Sequence, residues 1–263
     1  MIMSLRGIEF SYNSHRVLKD VNLDIGVRDV LAILGPNGVG KTTLLRCMNA
    51  ILPPSAGAIL IEGEDLLSLN RSAISRRIAY VPQRSEAGRV SVFDAVLLGR
   101  KPHITWDVTG RDLRIVQNIL ERLDLTGLSL RNLDQISGGE LQKVAIARAL
   151  VQEPGVLLLD EPTSSLDLKN QIDILTLLKQ VAREHSVTAL MTMHDINLAA
   201  RFATKFVLMK DGRIHAAGNE DILTSEIIEE VYSVPVSVVH QHGKPVIIPI
   251  IDRTVSETKN SVV

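Results

Sequence analysis

The segment Gly35-Pro36-Asn37-Gly38-Val39-Gly40-Lys41-Thr42-Thr43 has the residue types and spacing of a phosphate cradle. It fits G-x-x-x-x-G-K-[ST] and lies between an expected strand and an expected helix, the context that pattern requires. Glycines let backbone N–H groups close around phosphates without Cβ clashes. The helix that follows adds its positive N-terminal end. Lys41 then reaches the β- and γ-phosphates of a nucleoside triphosphate, and the Thr42 hydroxyl ligates Mg²⁺. From residue frequencies alone, a chance match arises in on the order of one chain in a hundred.

A second segment, Val156-Leu157-Leu158-Leu159-Asp160-Glu161-Pro162, ends an apolar run in two acids. In α/β sheets ligands bind at the carboxyl ends of strands. Asp160 is placed to hold Mg²⁺ directly or through water, and Glu161 to polarise the water that attacks a γ-phosphate. Such a strand end is common by itself, and its weight comes from following a phosphate loop. A third segment, Ile136-Ser137-Gly138-Gly139-Glu140, offers N–H groups and a hydroxyl before a helix. Alone it reads as a helix cap. With one γ-phosphate and two anion-binding segments, a dimer that sandwiches the nucleotide accounts for both.

The elements that position these segments follow from periodicity. Residues 5–12 and 18–25 alternate as strands, and 30–34 is a run buried on both faces of a parallel sheet. Helical spacing covers 41–50, 172–182 and 196–202, with strands at 58–61, 78–81, 156–159 and 187–191. Phe206-Val207-Leu208-Met209 with Asp211-Gly212 and Ile214 reads as a hairpin. Between 91 and 150 the period is helical, with Ile115, Ile119, Leu120 and Leu123 on one stripe. The expectation is an α/β core over 1–87 and 148–250, a helical insert over 88–147, and a polar tail over 251–263. The 29 Lys and Arg against 30 Asp and Glu give a net charge of −1, no nucleic-acid surface. No run reaches the roughly 18 apolar residues of a membrane-spanning helix; if the protein acts at a membrane, another chain must cross it. Cys47 is the single cysteine, which excludes an internal disulfide. It reads as core. His240 and His242 form a pair with no third or fourth metal ligand nearby.

These segments resemble the ATP-binding subunits of ABC transporters over about residues 4–250. The resemblance implies a P-loop NTPase core of the RecA-like kind with a mostly parallel sheet, an N-terminal antiparallel β-subdomain and an inserted helical subdomain. It makes residues 35–43 the Walker A loop and 156–161 Walker B. Ser137, Gly138, Gly139 and Glu140 match the signature motif, which contacts ATP bound to the opposite subunit. Gln83 matches the Q-loop, which senses Mg²⁺ and the membrane partner. Ser165-Leu166-Asp167 matches the D-loop at the dimer interface, and His194 the switch histidine at the γ-phosphate. Tyr12 matches the aromatic residue that stacks on adenine. Ile136, Glu140 and Lys143 stand where leucine, glutamine and arginine are commoner, and no required donor is lost.

Three further stretches resemble importers of iron-siderophores, haem and cobalamin: Val96-Leu97-Leu98-Gly99-Arg100-Lys101-Pro102-His103, His194-Asp195-Ile196-Asn197-Leu198-Ala199-Ala200-Arg201, and Val231-Tyr232 through Gly243-Lys244-Pro245-Val246-Ile247-Ile248-Pro249. Molybdate or tungstate importers share this architecture, and a soluble ABC ATPase outside transport is the other alternative. The resemblance implies ATP and Mg²⁺ as ligands. It also implies a homodimer at the cytoplasmic face of the membrane, two integral permease subunits and, indirectly, a substrate-binding protein.

Overall fold

A computed structural model of the chain describes residues 1–83, 88–164 and 166–251. Of the polar tail expected over 251–263, all but Ile251 lies outside the described residues, as does Ser165. In β1 (Met3–Tyr12) and β2 (His15–Ile25) the residues Leu5, Ile8, Leu18, Val21 and Ile25 are buried, with register shifts between Leu5 and Ile8 and between Ile8 and Phe10 interrupting the strict alternation. Both strands begin earlier than the hydropathy suggests, because the pairs Met3↔Ile25 and Tyr12↔His15 extend the ladder to its ends. β3 (Val30–Leu34) is buried at every position. It feeds α1 (Lys41–Met48), which stops at Met48 rather than Ala50. β4 (Ala56–Ile61) and β5 (Glu64–Asp65) complete an antiparallel sheet in the order β2-β1-β4-β5. α2 (Arg71–Arg77), capped by Asn70, has no counterpart in the sequence reading. Only Ile74 of its residues is buried, too little to make a periodic stripe.

β6 (Ile78–Val81) leads to the helical insert of α3 (Val92–Leu97), α4 (Gly110–Arg122) and α5 (Gly138–Leu150). The insert has a core of its own, built on Val92, Val96, Val116, Leu120, Val144 and Ala147. The chain then returns through β7 (Val156–Leu159), α6 (Leu168–His185), β8 (Thr188–Thr192) and α7 (Ile196–Phe202). α6 begins before the expected Ile172 because the Asp167 side chain caps it, accepting from the Asn170 N–H at 2.8 Å. β9 (Lys205–Lys210) and β10 (Arg213–Gly218) form the expected hairpin. A C-terminal unit follows: α8 (Ser225–Tyr232), then β11 (Val236–Gln241) paired with β12 (Lys244–Pro249).

The central sheet runs β10-β9-β3-β8-β7-β6. Its pairs are parallel except β9 with β10. All its parallel strands therefore end at one edge, and the loop after β3 faces the acids after β7 across β8. This is the P-loop fold with its two expected additions.

The Gly99-Arg100-Lys101-Pro102-His103 segment does packing work at the root of the insert. A Cβ at Gly99 would lie 2.1 Å from the Arg148 carbonyl oxygen, so only glycine allows this close approach to α5. Arg100 is 2% exposed. Its guanidinium donates to Asp112 Oδ1 at 2.9 Å, the Val151 carbonyl at 2.5 Å and Glu153 Oε2 at 2.8 Å. Pro102 accepts from Arg76 Nε at 2.9 Å, and His103 Nε2 meets the Gln152 carbonyl at 2.8 Å. Hydrogen bonds from Thr109, and then Arg100, hold the Asp112 carboxyl down at about 2. That stabilisation is complete above the ordinary aspartate value and is lost as pH falls towards 2. Replacing Arg100→Met leaves the buried Asp112 carboxylate without its counter-charge, with only the Thr109 bonds remaining. We expect a loss of about 3–5 kcal/mol in urea unfolding, and an unshifted midpoint would show that the cluster carries no stability.

Candidate functional site

A cleft of about 270 Å³ opens beside the loop that joins β3 to α1. Tyr12, Asn37, Gly38, Gly40, Lys41, Thr42, Thr43, Glu161 and His194 line it, together with His15 and Val17, which the sequence reading did not single out. Gly35 starts the loop at φ +145°, where a Cβ would lie 2.5 Å from the Met209 carbonyl oxygen. The loop curls over Lys41, whose Nζ donates to the Gly35 carbonyl at 2.7 Å and the Pro36 carbonyl at 3.0 Å. An ammonium has three donors, so one remains for a ligand. Burial lowers the Lys41 pKa, opposed by the nearby carboxylates of Glu161 and Asp160. Val39 closes the loop, its N–H donating to the Pro36 carbonyl at 3.4 Å.

Asp160 lies at the end of β7, 2% exposed. Its Oδ1 accepts from the Thr42 and Thr192 hydroxyls, each at 2.9 Å, and its Oδ2 from the Tyr80 hydroxyl at 3.2 Å. Thr42 and Asp160 thus present hard oxygen donors side by side, the chemistry that suits Mg²⁺. Next in the chain, Glu161 takes the left-handed φ of 48°. Gln83 Nε2 donates to its Oε2 at 2.5 Å, and His194 Nε2 lies 2.5 Å from its Oε1. The Glu161 N–H donates to the Thr192 hydroxyl oxygen at 2.8 Å. Asp195 fixes the chain beyond His194 by capping α7, its Oδ1 accepting from the Leu198 N–H at 2.9 Å.

Tyr12 sits at the cleft mouth, 44% exposed, with its ring edge-on to Phe10 at 4.9 Å. Ser137, Gly138, Gly139, Glu140 and Asp167 do not line this cleft. Ser137 caps α5 in a reciprocal box. Its N–H and hydroxyl donate to Glu140 Oε2 at 2.7 and 2.8 Å, and the Glu140 N–H returns to Ser137 Oγ at 3.3 Å. These bonds from Ser137 lower the Glu140 pKa. Cys47 is fully buried on α1, and burial pushes its thiol up to about 12. His240 and His242 lie on the β11–β12 hairpin. Among the described residues no three His, Cys, Asp or Glu gather as metal ligands. No helix of the described residues is long and apolar enough to cross a membrane.

Besides His15 and Val17, the residues Tyr80, Thr192 and Tyr232 have site contacts that no motif marks. Thr192 joins Asp160 to Glu161, and its only local signal is a hydroxyl that ends the apolar run of β8. Tyr232 reaches the loop from α8, accepting from the Gly35 N–H at 2.8 Å.

The profile of the ABC transporter family matches residues 18–164. The chain belongs to that family. It is 46% identical over 250 residues to an uncharacterized ABC transporter ATP-binding protein of Methanocaldococcus jannaschii, covering 95% of this chain and 98% of that one. The cobalamin import ATP-binding protein BtuD of Halobacterium salinarum is 37% identical over 266 residues, 100% of this chain and 67% of the relative. The ferric enterobactin transport ATP-binding protein FepC of Escherichia coli is 33% identical over 268 residues, 99% and 98% of the two chains. Among solved structures, a metal-chelate type ABC transporter in an inward-facing conformation superposes with a TM-score of 0.82. Identity there is 32%, with 95% of this chain and 98% of that one covered. A dimeric ATP-binding cassette in a post-hydrolysis state with ADP and Pi gives a TM-score of 0.74 at 28% identity, covering 83% and 98%.

Thr192→Val keeps the shape of the side chain but strips the Glu161 N–H of its partner and Asp160 of one donor. The expected cost is about 1–3 kcal/mol of stability in urea unfolding. An unchanged unfolding free energy would exclude Thr192 as the link between the two acids.

Proposed function

We propose that the chain is the ATP-binding and ATP-hydrolysing subunit of an importer for a metal chelate: an iron-siderophore, haem or cobalamin. It acts at the cytoplasmic face of the membrane, and separate permease subunits carry the cargo across. The observation that carries the catalytic part is the Glu161 carboxylate, held between Gln83 and His194 beside the loop of Lys41. The cargo class rests on the cobalamin and ferric enterobactin relatives and on the metal-chelate transporter structure.

In this reading the adenine stacks on the exposed Tyr12 ring, and the phosphates lie along residues 35–43. Lys41 exchanges its carbonyl partners for the β- and γ-phosphates. Thr42, Asp160 and the Gln83 side-chain oxygen would hold Mg²⁺, which when bound would supply positive charge against the phosphate oxygens. Glu161 orients the attacking water and accepts its proton as the water oxygen bonds to the γ-phosphorus and the bond from that phosphorus to the bridging oxygen breaks, releasing ADP. His194 steadies the charge that develops on the γ-phosphoryl oxygens by hydrogen bonding through Nε2. Catalysis here is positioning and electrostatics in a site of fixed dipoles.

The signature residues act in trans. Ser137, Gly138, Gly139 and Glu140 lie off the cleft, so two copies pair head to tail, each offering its loop to one ATP and its signature to the other. Asp167 stands at that interface. The γ-phosphate competes with Glu140 for the Ser137 donors as the dimer closes. Closure and reopening drive a pair of permease subunits docked near Gln83 and the helical insert, with a substrate-binding protein beyond them. Nucleic acid has no part.

Glu161→Gln retains ATP binding and lowers turnover on the order of 10²–10⁴-fold, leaving an ATP-stabilised dimer visible by gel filtration. Wild-type turnover in that variant rejects Glu161 as the hydrolytic residue. Ser137→Arg abolishes turnover while ATP affinity of the monomer, read by equilibrium titration, stays near wild type. A parallel fall in monomer affinity would place Ser137 in its own subunit's site.

A further inference from the structure

We propose that Tyr232 is a positioning residue for the phosphate loop: its hydroxyl pins the first peptide of that loop, so the C-terminal unit sets the affinity for the triphosphate. The inference rests on the nucleotide reading of residues 35–43 and deepens it.

The observation is a hydrogen bond spanning most of the chain, from the Gly35 N–H to Tyr232 Oη at 2.8 Å. Pairing between β3 and β9 ends at Leu34↔Leu208, so no strand partner remains for the Gly35 N–H. A backbone donor left unpaired at this depth costs stability or lets the loop shift. On its other side, the Gly35 carbonyl accepts from Lys41 Nζ at 2.7 Å. The two peptides that flank Gly35 are thus held by different side chains, and the two bonds have different fates. Lys41 gives up its carbonyl bond when it turns to a phosphate. The Tyr232 bond makes no such exchange and keeps the loop in place through the cycle. Burial pushes the Tyr232 phenol up to about 12, so it stays neutral in any working buffer.

Tyr232 is itself well anchored. Ser233 closes α8 in the left-handed conformation, and Glu229 Oε1 accepts from the Val236 N–H at 2.9 Å. His215 Nε2 lies 2.7 Å from Glu230 Oε2, tying α8 to β10. Asn197 on α7 bonds both faces of the Ile247 peptide backbone, donating to its carbonyl at 3.1 Å and accepting from its N–H at 2.8 Å. Hence one unit, α8 with β11 and β12, bonds both the start of the phosphate loop and the helix that follows His194. This gives the two C-terminal stretches noted in the sequence, around Asn197 and around Tyr232, a shared task.

The test uses the full chain with Tyr232→Phe, which removes one oxygen and keeps the ring. The Kd for MgATP, by equilibrium titration, and the KM for ATP should each rise roughly five- to tenfold. Tyr232 bonds neither Glu161 nor His194, so kcat should stay within about twofold. Ile228→Val serves as the control. It trims a buried α8 side chain without touching the hydroxyl and should lower the Tm while leaving ATP affinity unchanged. Wild-type affinity in Tyr232→Phe overturns the inference, and so does an equal loss of affinity in Ile228→Val, which would make α8 merely structural. Lys41→Ala separates the two levels of the argument. If wild type fails to bind ATP, or Lys41→Ala binds equally well, the nucleotide reading falls and this inference with it.

Discussion

A carboxylate buried at the end of a strand dictates the geometry around it. Asp160 is 2% exposed and survives there because three hydroxyls donate to it. Each comes from a different element: Thr42 from the first turn of α1, Tyr80 from β6, Thr192 from β8. Its own N–H donates to the Val81 carbonyl at 2.9 Å. One side chain therefore aligns the ends of three strands with the start of the helix that bears Lys41. Loosen it, and the phosphate loop loses its fixed relation to Glu161.

Glu161 shows the counterpart of that order. A φ of 48° is uncommon for a residue with a side chain, and holding it costs on the order of 1–3 kcal/mol. Thr192 takes the N–H of this strained residue, while Gln83 and His194 grip the two carboxylate oxygens. The strain turns the side chain off the strand direction and into the cleft, where the extended path of β7 would not carry it.

Local chemistry was legible in the sequence, and long-range pairing was not. The order of apolar run, glycine loop, lysine and helix announces the phosphate cradle, because the same few residues both bend the backbone and supply the donors. The acids after β7 read equally well, as did the parallel sheet, since fully apolar runs have few other places to go. Thr192 and Tyr232 were invisible as site residues because no spacing rule links position 35 to position 232. Helix lengths slipped where a polar cap decided them, as Asp167 does for α6. The Arg100 segment resembles importers in its residues, while its buried bonds to Asp112 and Val151 depend on a packing that pattern alone does not reveal.

The reciprocal cap at the head of α5 bears on what a lone subunit does amid the free anions of a cell. A helix start with a serine and two glycines would ordinarily attract phosphate or sulfate from solution. Here an internal carboxylate already occupies the donors and repels small anions of its own sign.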